Sequence, residues 1–238
     1  MTRRGPHPAD LSGPMVLVGD LARPELDDAS AHHLTRVLRL RPGDPLVVAD
    51  GAGRWAAAVL GSDATVTSTG PVLSAPAPTP ALTVAFALVK GDKPELVVQK
   101  LTELGIDRIV PFRAERSVVR WDDAKAGKAV ARLRAVAASA AAQCHRPWLP
   151  EVTEVADLAA LVGQGAALAD RDGPPPALAH PLVAVGPEGG WSEAEQALSA
   201  PRVGLGPHVL RAETAAVTAG ALLAALRAEV VAPGAPAS

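Results

Sequence analysis

The sequence has a single cysteine, Cys144, no tyrosine, and only 3% aromatic residues. One cysteine cannot form an internal disulfide or a cysteine-rich metal site, and it fits a reducing compartment. The most apolar stretch, residues 214–226, is shorter than the roughly 20 residues that cross a bilayer. The basic start, residues 1–8, leads into no long apolar run, so we expect no signal peptide, no membrane association and a cytoplasmic protein.

The composition is that of a globular chain without a strong net charge. With 238 residues, 48% of them hydrophobic and 20% charged, the chain can bury a core as one large domain or two smaller ones. A formal net charge of −2 excludes a uniformly basic nucleic-acid binder but leaves room for a local basic patch. Arginine outnumbers lysine, which suits planar contacts with phosphate.

The first part of the chain predicts a small β-rich domain. Apolar, β-branched segments predict strands at residues 15–18, 46–49, 55–60 and 66–72. The spacing of leucine and valine over residues 32–40 predicts a helix that carries Arg36 and Arg39 on one face. The proline-rich stretch 71–80 predicts an extended linker, so we place one domain at residues 1–73 and another at residues 80–238.

Strands and helices alternate after this linker. Apolar runs predict strands at residues 82–89, 108–112, 166–169 and 182–185, and a short strand that begins at residue 202. Helical spacing and caps predict helices at residues 92–104 (with Asp92 and Glu95 at its start), 122–143 and 154–162, and a long helix after residue 211. Alternation of this kind predicts an α/β fold with a parallel sheet and helices on both faces.

Two glycine–proline loops follow the last two strands. Gly186-Pro187-Glu188-Gly189-Gly190 is followed by Ser192 and Glu195, a capping box that starts a helix, and Gly204-Leu205-Gly206-Pro207 precedes the final helix. Matched loops at the carboxyl ends of strands are where open α/β sheets build ligand pockets, although the first loop alone could be a simple tight turn.

The loops match neither common nucleotide motif. The G-x-G-x-x-G fingerprint is missing, and no lysine follows either loop as a phosphate-binding P-loop requires. The prolines remove backbone donors, which leaves carbonyls and a few amides towards a ligand. This pattern favours an adenosine-like ligand over a pyrophosphate.

Together these loops resemble the signature of the RsmE-type ribosomal RNA methyltransferases of the SPOUT superfamily. The carrying segments are Gly186-Pro187-Glu188-Gly189-Gly190-Trp191-Ser192 and Leu205-Gly206-Pro207-His208-Val209-Leu210-Arg211-Ala212-Glu213-Thr214-Ala215. Further matches are at residues 33–44, 100–105, 115–117 and 143–146, so the resemblance covers nearly the whole chain. The basic–aromatic pair that the family often has before its first strand is replaced here by Pro14-Met15, and Trp191 replaces a common phenylalanine.

The resemblance implies a PUA-like β-barrel followed by a SPOUT-type parallel sheet with a trefoil knot near the carboxyl end. It also implies a homodimer, S-adenosyl-L-methionine as cofactor, and methylation of N3 of a uridine in 16S ribosomal RNA or the small ribosomal subunit. Methyl transfer needs no metal, and the six histidines are scattered apart from His32-His33, so we expect no metal site.

The candidate site residues divide into three groups. Those expected to bind the cofactor are Ala169, Asp170, Gly186, Pro187, Glu188, Gly189, Leu205, Gly206 and Leu210. Because uracil N3 keeps its proton at neutral pH, we expect Arg211 to hold the uracil oxygens or its phosphate and Glu213 to be the base. A carboxylate in a helix's first turn is also stabilised by the helix dipole alone. Those expected to contact RNA phosphates are Arg36, Arg39, Arg116 and Arg146.

Two other functions remain open at this point. One is a SPOUT methyltransferase that acts on transfer RNA, for instance at a ribose oxygen. The other is a non-catalytic RNA-binding ribosome assembly factor that has kept the fold. Cofactor binding and the position of the methyl group on the product nucleoside distinguish the three functions.

Overall fold

The computed structural model describes residues 5–89, 93–117 and 123–232. These residues form two compact units. One contains the chain up to Ala77 together with Ala138–Leu149, and the other contains Pro78–Ala137 and the chain from Pro150 onward. The predicted helix starts at Asp92 and Asp122 lie outside the described residues. Within the described ranges, no helix combines the length and the apolar character that a membrane crossing needs.

The first unit is built on a five-stranded sheet in the order β1-β2-β3-β4, with β5 also paired to β3. The β1–β2 pair is parallel and the others are antiparallel. Helix α1 (Asp28–His32) runs into a π-helical turn (His33–Val37) between the first two strands. The strands are β1 (Met15–Leu17), β2 (Pro45–Ala49), β3 (Arg54–Leu60), β4 (Val66–Ser68) and β5 (Leu73–Ser74).

The segment Ala138–Leu149 packs against this sheet. The indole Nε1 of Trp148 donates to the Ala75 carbonyl at 3.2 Å. Its ring fills the space beside Gly53, where a Cβ would lie 2.4 Å from the ring. Gly53 therefore has two reasons to be glycine, since its φ is also +87°.

The predicted helix over residues 32–40 is wrong in its extent and its buried face. The helical turn ends at Val37, and Arg39 takes a left-handed backbone with φ 59°. Leu34 is fully buried, but Val37 and Leu38 are 57% and 44% exposed. A π-turn has more residues per turn than an α-helix, so residues at α-helical spacing do not stay on one face. Arg36 and Arg39 therefore do not share a helix face.

The second unit is an α/β domain with a seven-stranded sheet, and every strand pair in it is parallel, as predicted. The order is β12-β10-β11-β6-β7-β8, with β9 also on β7. The strands are β6 (Thr83–Ala87), β7 (Arg108–Arg113), β8 (Glu151–Val152), β9 (Ala156–Asp157), β10 (Ala167–Ala169), β11 (Leu182–Val185) and β12 (Arg202–Val203).

The helices of this unit are α2 (Lys93–Glu103), α3 (Asp123–Gln143) as far as Ala137, α4 (Leu158–Gly163), α5 (Glu193–Gln196) and α6 (Ala212–Arg227). The predicted helix at 154–162 begins only at Leu158, because Ala156 and Asp157 pair with β7 instead. The predicted capping box of Ser192 and Glu195 is confirmed, although α5 is only four residues long.

The central strand β6 shows why the sheet is covered on both faces. Val84 and Phe86 belong to one buried cluster, which includes Leu101 of α2 and Leu223 of α6. Ala85 and Ala87 belong to the cluster on the opposite face. Successive residues of a strand point to opposite faces, so a continuous apolar run serves both layers.

Candidate functional site

A cavity of about 340 Å³ lies at the carboxyl ends of β10, β11 and β12. Its walls come from the two glycine–proline loops and the end of β10, the three chain segments named from the sequence. Every predicted cofactor residue except Gly189 lines it: Ala169, Asp170, Gly186, Pro187, Glu188, Leu205, Gly206 and Leu210. Parallel strands carry these three segments to one edge of the sheet, because their carboxyl ends all lie there.

Trp191 forms part of the cavity wall and ties three strands together. Its indole Nε1 donates to the carbonyl of Ala169, at the end of β10, at 2.9 Å. Its ring stacks on Phe112 of β7, with centroids 6.1 Å apart and planes inclined by 15°. A Cβ on Gly186, at the end of β11, would lie 3.1 Å from the same ring. Glycine at 186 therefore lets the indole sit directly against the backbone of the first loop.

Gly189 is not part of the cavity lining and contacts Arg116 instead. A Cβ at Gly189 would lie 3.2 Å from the Arg116 Cβ, and Arg116 Nη1 donates to the Gly189 carbonyl at 3.2 Å. The structure therefore places Arg116, which is exposed, beside the first glycine loop. The other predicted RNA contacts, Arg36, Arg39 and Arg146, belong to the first unit and not to the lining of this cavity.

Neither predicted catalytic residue lines the cavity, but both flank it on α6. Arg211 is the N-cap of that helix and its side chain is exposed. Glu213 lies in the first turn, and its Oε2 is 3.2 Å from Lys93 Nζ. Lys93, in the first turn of α2, also bonds Glu188 Oε1 at 3.1 Å. One lysine therefore joins the first glycine loop to the start of α6.

The charges in this cluster support one another. Hydrogen bonds to Glu188 and then to Glu213 hold the pKa of Lys93 above 10.5. The pKa of Glu188 lies below 4.5, chiefly because its own backbone N–H donates to the carboxylate. Partial burial opposes this shift, while Lys93 and Arg211 add to it. Glu188 is therefore ionised at neutral pH.

Several residues at the cavity were not predicted from the sequence. Lys93 is 95 residues from Glu188, and no local pattern marks that pairing. His208 and Val209 line the rim, where Val209 is 85% exposed. Gln196, Arg171, and Ala212 and Ala215 of α6 also line the cavity. His208 and Val209 belong to the segment 205–215 that carries the family resemblance. Their position in the second loop could therefore have predicted that they lie at the cavity. Among the described residues, no three His, Cys, Asp or Glu side chains group so as to hold a metal ion.

Two family models match the chain. An RNA methyltransferase domain matches residues 75–224, and an RNA methyltransferase PUA domain matches residues 26–64. The ribosomal RNA small subunit methyltransferase E of Mycobacterium bovis is 36% identical over 217 residues, which cover 82% of this chain and 83% of that protein.

Two solved structures resemble the fold closely. A protein from Legionella pneumophila, described as a methyltransferase and solved with its cofactor SAM, has a TM-score of 0.80 at 26% identity, covering 90% of this chain and 98% of the other. The ribosomal RNA small subunit methyltransferase E of Neisseria gonorrhoeae, bound to S-adenosyl methionine, has a TM-score of 0.74 at 29% identity, covering 90% and 97%.

Proposed function

This chain belongs to the ribosomal RNA small subunit methyltransferase E family, and we propose that it methylates N3 of a uridine in 16S ribosomal RNA with S-adenosyl-L-methionine as methyl donor. The observation that carries the proposal is the cavity at the carboxyl ends of β10, β11 and β12, walled by both glycine loops. A ribosomal RNA substrate implies that the activity belongs to ribosome biogenesis in the cytoplasm.

The cavity fits the adenosine part of this cofactor. Its volume, about 340 Å³, lies within the range of about 300–1,000 Å³ usual for ligand pockets. Leu205 and Leu210 offer apolar walls for a purine ring, and the backbone at Gly186 and Gly206 can approach a ligand closely. The Ala169 carbonyl is already bonded by Trp191, so that acceptor is directed into the wall.

The chain's own groups prepare the uracil for transfer. S-adenosylmethionine supplies an electrophilic methyl group on a sulfonium. Uracil N3 must lose its proton as the bond to the methyl carbon forms, and the negative charge that results spreads to O2 and O4. Arg211, exposed beside the cavity, is proposed to donate to these oxygens or to the phosphate of the same nucleotide. Its position at the N-terminus of α6 adds the positive end of a helix dipole.

Glu213 is the proposed proton acceptor. It lies on α6 two residues beyond Arg211, and its side chain is 15% exposed. Its contact with Lys93 fixes the carboxylate near the cavity rim. Lys93 is shared with Glu188, so it can keep one carboxylate partner while Glu213 turns towards a bound nucleotide.

RNA contact is proposed for arginines of both units. Arg36 and Arg39 are exposed in the first unit, which contains the match to the PUA domain. Arg116 is exposed beside the first glycine loop, and Arg146 is half-buried in the segment Ala138–Leu149. Few aromatic residues are present, so phosphate contacts are favoured over base stacking.

A homodimer and a knotted carboxyl-terminal segment complete the proposal. Half-exposed Leu222 and Ala225 leave an apolar strip on α6 that a second copy could cover. The knot would lie where the segment after β12 runs beside the segment after β10, with the Gly204 N–H donating to the Pro174 carbonyl at 2.7 Å. Sedimentation of the purified protein tests the dimer.

The decisive experiment identifies the product. The protein is incubated with labelled S-adenosylmethionine and small ribosomal subunits from cells that lack the modification, and the RNA is digested to nucleosides. N3-methyluridine is the expected product. A methylated ribose, or methylation of transfer RNA instead, would show a different target, and cofactor binding without transfer to any RNA would indicate an assembly factor.

A further inference from the structure

Glu195 uses its two carboxylate oxygens for two different tasks. The side chain is buried, with 5% of the residue exposed. Its Oε2 accepts from the Ser192 backbone N–H at 2.8 Å, while Ser192 Oγ accepts from the Glu195 N–H at 3.1 Å. These two bonds complete the capping box of α5. The cap needs only one oxygen of the carboxylate.

The other oxygen reaches a distant part of the chain. Oε1 of Glu195 accepts from the backbone N–H of Glu115 at 2.9 Å, across 80 residues of sequence. Glu115 lies in a turn just after β7, closed by a bond from the Ser117 N–H to the Ala114 carbonyl at 3.1 Å. The buried carboxylate therefore fastens this turn to the start of α5.

The fastened turn carries Arg116. The side chain of Arg116 packs its Cβ against Gly189 and donates from Nη1 to the Gly189 carbonyl at 3.2 Å. A guanidinium has five N–H donors, and the bond to Gly189 uses one of them, so Arg116 can also donate to an anionic partner. The turn is thus held twice against the first glycine loop, once through Glu195 and once through Arg116 itself.

We propose that Glu195 is a positioning residue. Its bonds to Ser192 and Glu115, called the lock below, hold the turn of Arg116 beside the first glycine loop. Arg116 then meets the RNA phosphate at a fixed place beside the methyl donor. The role of Arg116 in RNA binding rests on the proposed function, whereas the lock itself does not. A glutamine has a single acceptor oxygen, so Glu195→Gln can keep either the cap or the bond to Glu115, but not both at full strength.

Weakening the lock should impair the binding of RNA and leave the binding of the cofactor unchanged. Glu195 is not among the residues that line the cavity, so cofactor affinity should be preserved when the lock is weakened. The KM for RNA should rise, because Arg116 must then be ordered at the moment of binding. If the bond from the Glu115 amide to the Glu195 carboxylate must be replaced by ordering of the turn on binding, the KM for RNA should rise about tenfold.

The first measurement needs no RNA. Hydrogen exchange of the Glu115 amide is compared in the wild type, in Glu195→Gln and in Glu193→Gln, which removes the same charge from an exposed neighbour in α5. Faster exchange at Glu115 in Glu195→Gln alone is expected. Unchanged exchange at Glu115 would overturn the lock, whatever the enzyme's substrate.

The second measurement is a double-mutant cycle on RNA. Glu195→Gln and Arg116→Ala should each raise the KM for small-subunit RNA about tenfold, with the dissociation constant of S-adenosylmethionine changed less than about twofold, and the double variant should be no worse than Arg116→Ala. Multiplying effects, or an equal loss of cofactor affinity, would overturn the positioning role. If exchange at Glu115 responds but the wild type methylates no RNA, the proposed function fails and the lock stands.

Discussion

Gly186→Ala should distort the cofactor cavity through Trp191. An added Cβ would lie 3.1 Å from Cε2 and 3.2 Å from both Cδ2 and Cζ2 of the indole. These distances are shorter than ordinary carbon–carbon contacts of about 3.5–4.0 Å. The ring cannot move aside freely, because its Nε1 bonds the Ala169 carbonyl at 2.9 Å and its face stacks on Phe112. Either the indole or the first glycine loop must shift.

The size of the effect follows from overpacking of a fixed wall. Such insertions typically cost about 1–3 kcal/mol. For a domain of this size the melting temperature should fall by about 2–12 °C. Because both Gly186 and Trp191 line the cavity, the dissociation constant of S-adenosylmethionine should rise about tenfold. Calorimetric titration and thermal denaturation measure the two effects. Gly163→Ala is the matched control, since nothing lies within 4 Å of its added Cβ.

A second substitution decides whether the clash is the cause. Trp191→Phe gives up the bond to Ala169 but makes room beside residue 186, and it should lower cofactor affinity moderately on its own. In the double variant Gly186→Ala/Trp191→Phe, affinity should recover above that of Gly186→Ala. If Gly186→Ala binds the cofactor like the wild type, or if the smaller ring gives no relief, the assignment of Trp191 as a fixed cavity wall is wrong.

Three further predictions concern charge. Arg211→Ala and Glu213→Gln should each lower kcat by about 10²-fold or more while S-adenosylmethionine binding stays intact, and a parallel loss of cofactor binding would refute a role in the uracil chemistry. Glu188 has a pKa below 4.5 in the folded protein, so its contribution to stability is present above that pH and is lost as the pH falls through the folded value. The melting temperature of Glu188→Gln should therefore lie below that of the wild type at pH 7 and converge with it in acid, and a constant difference would argue against the lowered pKa of Glu188. Arg36→Ala should reduce the salt dependence of RNA binding by about one counterion, and an unchanged slope would remove Arg36 from the interface.

Local patterns in the sequence predict most of the fold. The apolar run at residues 82–89 gives β6, and the Ser192–Glu195 pair gives the start of α5, because each signal lies within a few residues of the structure that it specifies. The two glycine loops predict the cavity for the same reason, since parallel topology alone brings their strands' carboxyl ends together. Membership of the family, predicted from these motifs, is confirmed by the comparisons.

The remaining features depend on contacts between distant residues. The local pattern correctly predicts that Glu195 takes part in the capping box of α5. It does not predict that the second carboxylate oxygen of Glu195 accepts from the Glu115 amide, 80 residues away. Lys93 is a second example. By sequence it is an ordinary charged residue in the first turn of a helix, but in the structure it contacts Glu188 of the first glycine loop and Glu213 of α6. The Lys93 contacts hold the first glycine loop, and the Glu195 bond holds the turn of Arg116 beside that loop, so local sequence patterns do not reveal the contacts that fix the geometry of the site. A variant series limited to the predicted cofactor residues would therefore overlook Lys93 and Glu195, which hold those residues in place.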